Sequence, residues 1–272
     1  MSARAVVAIV LVVGLFEARG AGAQPWQPAK GAVAAGLTFQ SLRAVELATP
    51  AGNVIDIPRF TRDELTVFGN AGVTRRLAIV GAATLLVSTS IEAFERATGV
   101  GDARIGIQTL LGQRGAWTAG LRGLVHAPTG NSRRGEGLLP AGSGAWEGEV
   151  VLSIGRPIGG RLFVFGEAGH HVRGRGLRDT FVFNSQVGYV ASPRLTLEWN
   201  TRGVQPYDNG PIGTTLGSAA GLGDGVTFIA FGPSATIRVR RAWAILAGVD
   251  GGGHLRNIAA APAFRVGVAY SR

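Results

Sequence analysis

Two-residue alternation of apolar and polar side chains, repeated in one segment after another, most restricts what this chain can fold into. Across residues 194–202, Leu195, Leu197, Trp199 and Thr201 fall on one face, and Arg194, Thr196, Glu198, Asn200 and Arg202 fall on the other. A β-strand sends successive side chains to opposite faces, so this segment separates lipid-like from water-like surroundings. The same split recurs at 33–42, 64–74, 147–153, 181–189 and 264–270. It is less clean at 77–87, 103–111, 117–127, 162–172, 226–239 and 242–249, which brings the predicted strands to twelve. Within 226–239, Phe228 and Ala230 are apolar in one phase, and Ala235, Ile237 and Val239 in the other. That change of phase predicts a β-bulge at Gly232-Pro233.

The connections alternate in length. Short ones are expected at 74–76, 112–115, 157–160, 191–193 and 240–241, and long ones at 46–63, 88–102, 128–145, 173–180, 203–225 and 250–262. Short turns at one end and long loops at the other are the pattern of an outer-membrane barrel. A secreted β-sandwich shares the alternation but does not explain the loop lengths. Aromatic placement supports the barrel. Trp117, Tyr189, Trp243 and Tyr270 are read as outward-facing at the short-turn end, and Trp146, Phe181 and Phe264 would form the opposite girdle.

Composition agrees. The 272 residues include 43 glycines, and only 16% are charged, against about 25% in soluble domains. The net charge of +10 rests on arginine, because Lys30 is the single lysine. With no cysteine, disulfide scaffolds, thiolate metal sites and cysteine nucleophiles are excluded. Residues 1–23 combine Arg4, an apolar run over 5–16 and Ala21-Gly22-Ala23. These are the parts of a secretory signal peptide, and the run is too short for a spanning helix. Cleavage is expected before Gln24, leaving one domain, 24–272. The fold expected is all-β: a transmembrane antiparallel barrel of about twelve strands in the bacterial outer membrane.

Several stretches are similar to a family of outer-membrane transporters labelled MetA-pathway of phenol degradation. They are Gly72-Val73-Thr74, Thr98-Gly99-Val100-Gly101-Asp102, Pro128-Thr129-Gly130, Gly142-Ser143-Gly144 and Phe165-Gly166-Glu167-Ala168-Gly169. The resemblance covers most of residues 60–200. It implies passage of small molecules, aromatic or hydrophobic compounds among them.

If apolar side chains face lipid, the other face lines a lumen. The candidate lining is Arg104, Gln108, Arg122, His126, Glu149, Glu167, His171, Asn184, Gln186, Glu198, Arg202, Arg238 and Arg265, with Asn200 beside them. Charges of both signs there would form either a selectivity ring or a plug of internal salt bridges, and an arginine excess would favour anions. His170 is read as outward-facing and His254 as lying in an outer loop. A catalytic reading of the histidines, or a metal site joining His126, His171 and Glu167, has no fixed spacing behind it, so no catalytic residue, metal or cofactor is assigned. Gly99-Val100-Gly101-Asp102 and Gly221-Leu222-Gly223-Asp224 form a small repeat, read as tight turns rather than calcium or dinucleotide sites. The arginines are too scattered for nucleic acid. Expected partners are membrane lipid, lipopolysaccharide phosphates, a small solute, and the barrel assembly machinery during insertion. The function expected is passive uptake or efflux; a non-transporting structural or partner-binding barrel, and less so a barrel hydrolase, are the competing readings.

Overall fold

A computed structural model describes residues 28–92, 94–131, 139–208 and 216–272. The expected signal segment and the Arg133-Arg134 pair lie outside them. The strands are β1 (Val33–Ala48), β2 (Val54–Gly72), β3 (Leu77–Ile91), β4 (Glu95–Gly99), β5 (Ala103–Arg114), β6 (Trp117–Ala127) and β7 (Glu147–Ile158). They continue as β8 (Leu162–Arg173), β9 (Thr180–Ser192), β10 (Leu195–Pro206), β11 (Thr227–Arg238), β12 (Trp243–Arg256), β13 (Ile258–Ala259) and β14 (Ala263–Ser271). One helical turn, α1 (Leu216–Ala219), precedes β11. Twelve of these strands form a closed antiparallel barrel, with β4 paired to β3 and β13 to β1 as short additions.

Closure is made by β1. Its Phe39 stands opposite Leu65 of β2 on one side and Val266 of β14 on the other. The Val33 N–H donates to the Arg272 carbonyl at 2.9 Å, and the Arg272 N–H returns to Val33 at 2.8 Å. No barrel strand is left with an unpaired edge, which is what a bilayer demands of a sheet.

The outer face is a band of exposed apolar side chains. Ile105 and Ile107 are 64% and 54% exposed, and Phe264, Val266 and Val268 alternate outward with glycine and arginine between them. An apolar surface this extensive belongs in lipid, not water. No helix among the described residues is long and apolar enough to cross a membrane; the apolar band lies on the strands. At the short-turn end Trp243 packs edge-on against Tyr270, ring centres 5.1 Å apart, and Arg156 lies 5.5 Å over the Trp117 ring. Trp146, Phe181 and Phe264 are exposed at the long-loop end. Both expected girdles are in place.

Three expectations need correction. Much of the segments 46–63, 88–102 and 250–262 is strand rather than loop: β1 and β2 run on to a tight turn, β3 pairs with β4, and β12 extends to Arg256. Alternation fails there because the inner face of these extensions meets apolar packing instead of lumen. Phe60, Ala44 and Leu47 are buried against Leu139, Ala219 and Ala259. Second, the register of β11 passes through Gly232-Pro233 unshifted against both neighbours. Phe228 faces the inner cavity, so the strand keeps one phase with an apolar residue inside. Bulges fall elsewhere, including Leu85, extra in β3 between Leu65 and Thr66 of its partner, and Leu111 in β5. Third, His254 lies within β12, at φ +50°, not in a loop.

The apolar core cluster lies above the barrel, as a cap of strand extensions, residues 139–145 and α1 over the long-loop end, while Leu124, Val151, Phe163 and Phe165 are buried within the barrel itself.

An arginine on the lipid face near mid-strand is costly: Ile107→Arg should destabilise the barrel by ~2–4 kcal/mol. Denaturant unfolding in lipid vesicles measures it, with Ile107→Leu as the near-neutral reference. Equal stability of the two would remove the lipid-facing assignment.

Candidate functional site: the barrel lumen

The register brings the predicted lining together. Arg104 stands opposite His126 and Gln108 opposite Arg122 across β5 and β6. His126 is opposite Glu147, and Glu149 opposite His171. Glu167 is opposite Asn184, Asn184 opposite Arg202, and Gln186 opposite Asn200. Glu198 faces Ser234, and Arg265 lies inward beside Gly248. Arg238 departs from the group. It is exposed at the short-turn rim, where its guanidinium reaches the Pro193 carbonyl at 3.5 Å.

These side chains form clusters along the wall. Arg122 pairs with Glu167 at 3.0 Å and Glu149 at 3.6 Å, and the Asn184 amide donates to Glu167 at 3.4 Å. Alongside it Gln186 donates to Asn200, Asn200 to Ser234, and Ser234 to Glu198, at 3.1, 2.8 and 3.0 Å. Asp250 is held between Arg265 at 3.0 Å and Arg202 at 3.2 Å. Arg62 pairs with Glu64 and also donates to Thr89. A buried carboxylate needs such partners, because an unpaired charge away from water costs several kcal/mol.

The two signs of charge differ in exposure. The side chains of Asp250, Glu147, Glu167 and Glu149 are 4%, 6%, 11% and 12% exposed, while Arg202 and Arg265 are 41% and 29% exposed. Arg104 is exposed to the cavity, and no carboxylate lies within ion-pair distance of it among the described residues. Asp250 thus lies behind two more exposed guanidiniums, whereas Arg62 and Arg173 are themselves shielded, so the cationic surface met by a solute is made by Arg104, Arg202 and Arg265.

At the long-loop end the lumen opens into a cavity of about 360 Å³, lined by Arg104, His126, Glu147, His171 and Arg173, with Phe228 and Val204 as apolar patches. Ser143 and Leu222 close its roof. Two aspartates fix that roof. Asp102 accepts the backbone N–H of Gly130 at 3.0 Å and of Ser143 at 2.6 Å, and Thr129 donates to the Gly101 carbonyl at 2.8 Å. Asp224 accepts the Arg178 N–H at 2.9 Å, while Arg173 reaches the Leu222 and Gly223 carbonyls. The glycine-rich repeat is thus a pair of loop latches. At Gly142 a Cβ would lie 2.3 Å from the Asp102 carboxylate, so glycine is required for the approach.

Glu147, Asp250, Asp102 and Arg173 were not among the predicted lining. Glu147 shares the polar phase of Glu149, a signal visible in the sequence. Asp250 and Asp102 fall in segments expected to be loops.

No family model and no curated protein matches the chain. Solved structures do. The COG4313 outer membrane channel from Pseudomonas putida F1 superposes with a TM-score of 0.70 at 16% identity, over 93% of this chain and 99% of that one. The fold is an outer-membrane barrel. The NanC porin matches with a TM-score of 0.55 at 10% identity, covering 86% of this chain and 98% of the other. The KdgM porin in complex with disordered oligogalacturonate matches at 0.54 and 8%, covering 87% and 99%.

Asp102→Ala removes the acceptor of two loop amides, charge-assisted bonds worth ~1.5–3 kcal/mol each. The amides of Gly130 and Ser143 should then exchange with solvent more than about tenfold faster, read by hydrogen exchange in a barrel that stays heat-modifiable on gels. Unchanged exchange at both amides would remove the latch.

Proposed function

We propose that this protein is a passive outer-membrane channel for small anionic solutes, aromatic carboxylates among them. The observation that carries the reading is the layering of charge around Asp250: exposed Arg202 and Arg265 in front of a shielded carboxylate, with exposed Arg104 in the same lumen of a closed barrel. Such a surface attracts anions and repels cations. Arg104 and Phe228 line one cavity, which offers a carboxylate partner and an apolar contact together. This joins the aromatic solutes implied by the phenol-degradation resemblance to the charge of the wall. Barrels of twelve strands fall between filled eight-stranded and open sixteen-stranded ones, so a narrow passage under a partial cap is the natural form. Movement follows the solute gradient. The buried apolar cap also favours a second reading, a closed barrel whose outer surface binds a partner.

A salt gradient across a planar bilayer tests the selectivity. The reversal potential should favour chloride over potassium, Arg104→Gln should move it toward zero, and benzoate should reduce chloride current in the wild type. Cation preference, or a reversal potential indifferent to Arg104→Gln, would remove the anion reading.

A further inference from the structure

The long-loop end of the lumen holds three side chains whose chemistry the channel does not use. His126 on β6, Glu147 on β7 and His171 on β8 all face inward on successive strands. Oε2 of Glu147 lies 3.1 Å from Nε2 of His171 and 4.0 Å from Nδ1 of His126. The imidazole centres are 4.9 Å apart. One donor atom from each residue can be chosen so that all three lie within 4.8 Å of one another. The other Glu147 oxygen is held by Nε of Arg173 at 3.3 Å, which fixes the carboxylate with Oε2 toward the histidines. Nε2 of His126 is buried with no hydrogen-bond partner among the described residues. Glu167, the carboxylate that the sequence suggested for such a group, is engaged with Arg122; Glu147 occupies that role instead.

We propose that His126, Glu147 and His171 bind a divalent transition-metal ion of the zinc class, with its remaining position open to the cavity. Two imidazole nitrogens and one carboxylate oxygen are a donor set that suits zinc, nickel or copper. Calcium and magnesium require more oxygen ligands than this end of the lumen presents around the group. Tetrahedral ligand atoms at ~2.0–2.2 Å from a metal stand ~3.3 Å from one another. The widest present separation therefore has to close by about 1.5 Å when the ion binds. Arg173 serves as the positioning residue for the carboxylate, as outer partners of metal ligands commonly do. Its charge and that of Arg104 oppose a cation, and Glu147 with the neighbouring Glu149 offsets them. A bound ion would stand in the cavity under the cap and narrow the passage there.

The test uses the refolded barrel in detergent, with zinc alone as the probe. Equilibrium dialysis followed by metal analysis should find one zinc per chain in the wild type. The His126→Ala/His171→Ala double variant should lose it, and Glu147→Gln should weaken it by at least about tenfold. His170→Ala, on the outer face, should leave it unchanged. Cobalt in place of zinc should give the visible absorption of a four-coordinate ion in the wild type, a readout that needs no variant to fold. A folded wild type that holds no zinc at micromolar concentrations, a double variant that retains it, or a purely six-coordinate cobalt spectrum would each overturn the site. Binding is read without current, so a silent channel would leave this result standing.

Discussion

The shared edges of β1, paired with β2 on one side and β14 on the other, are the constraint on which the rest of this structure depends. In hydrocarbon no water is present to satisfy a free backbone group, so a sheet crosses only if it closes on itself. Once closed, every strand has one face toward lipid and one toward a confined interior. That geometry obliges the apolar phase to point outward, as Ile105, Ile107, Val150 and Leu152 do. It also confines the polar phase to a space where a shielded carboxylate needs a cationic or hydrogen-bonding partner.

The interior meets that demand asymmetrically. A carboxylate at the wall is covered by arginines where a guanidinium on a long stem can both pair behind and face water in front. Asp250 between Arg202 and Arg265 shows the arrangement. The cap obeys different rules. There Phe60, Leu139 and Ala44 make a small apolar core of the soluble kind, and Asp102 and Asp224 tie the covering segments to the barrel rim through backbone amides. Three glycine-rich stretches converge on this latch: the Gly130 and Ser143 amides, from two separate pieces of the chain, meet at the Asp102 carboxylate, and Thr129 bonds the neighbouring Gly101 carbonyl.

The twelve membrane strands were legible in the sequence because lipid outside and polar groups inside impose a strict period of two. Legibility ended where those surroundings end. Beyond the bilayer, β1 and β2 are flanked by cap and solvent, so Phe60 and Leu47 break the pattern and the extensions read as loop. Phe228 misled in the opposite way, an apolar side chain inside the lumen that suggested a bulge where the register is continuous. The predicted lining was chosen by parity along each strand, and parity says nothing about height along the barrel. Arg238 was therefore grouped with the lumen although it lies at the rim. Pairing was equally invisible, since Glu147, not Glu167, meets the two histidines only through the strand register.

Unitary current through the refolded barrel in a planar bilayer tests most directly whether the interior is a continuous passage beneath the cap. The account predicts discrete, reproducible steps, smaller than those of an open sixteen-stranded porin. Silence from protein shown to be folded and inserted would contradict it, and would mean that cap and salt bridges seal the lumen.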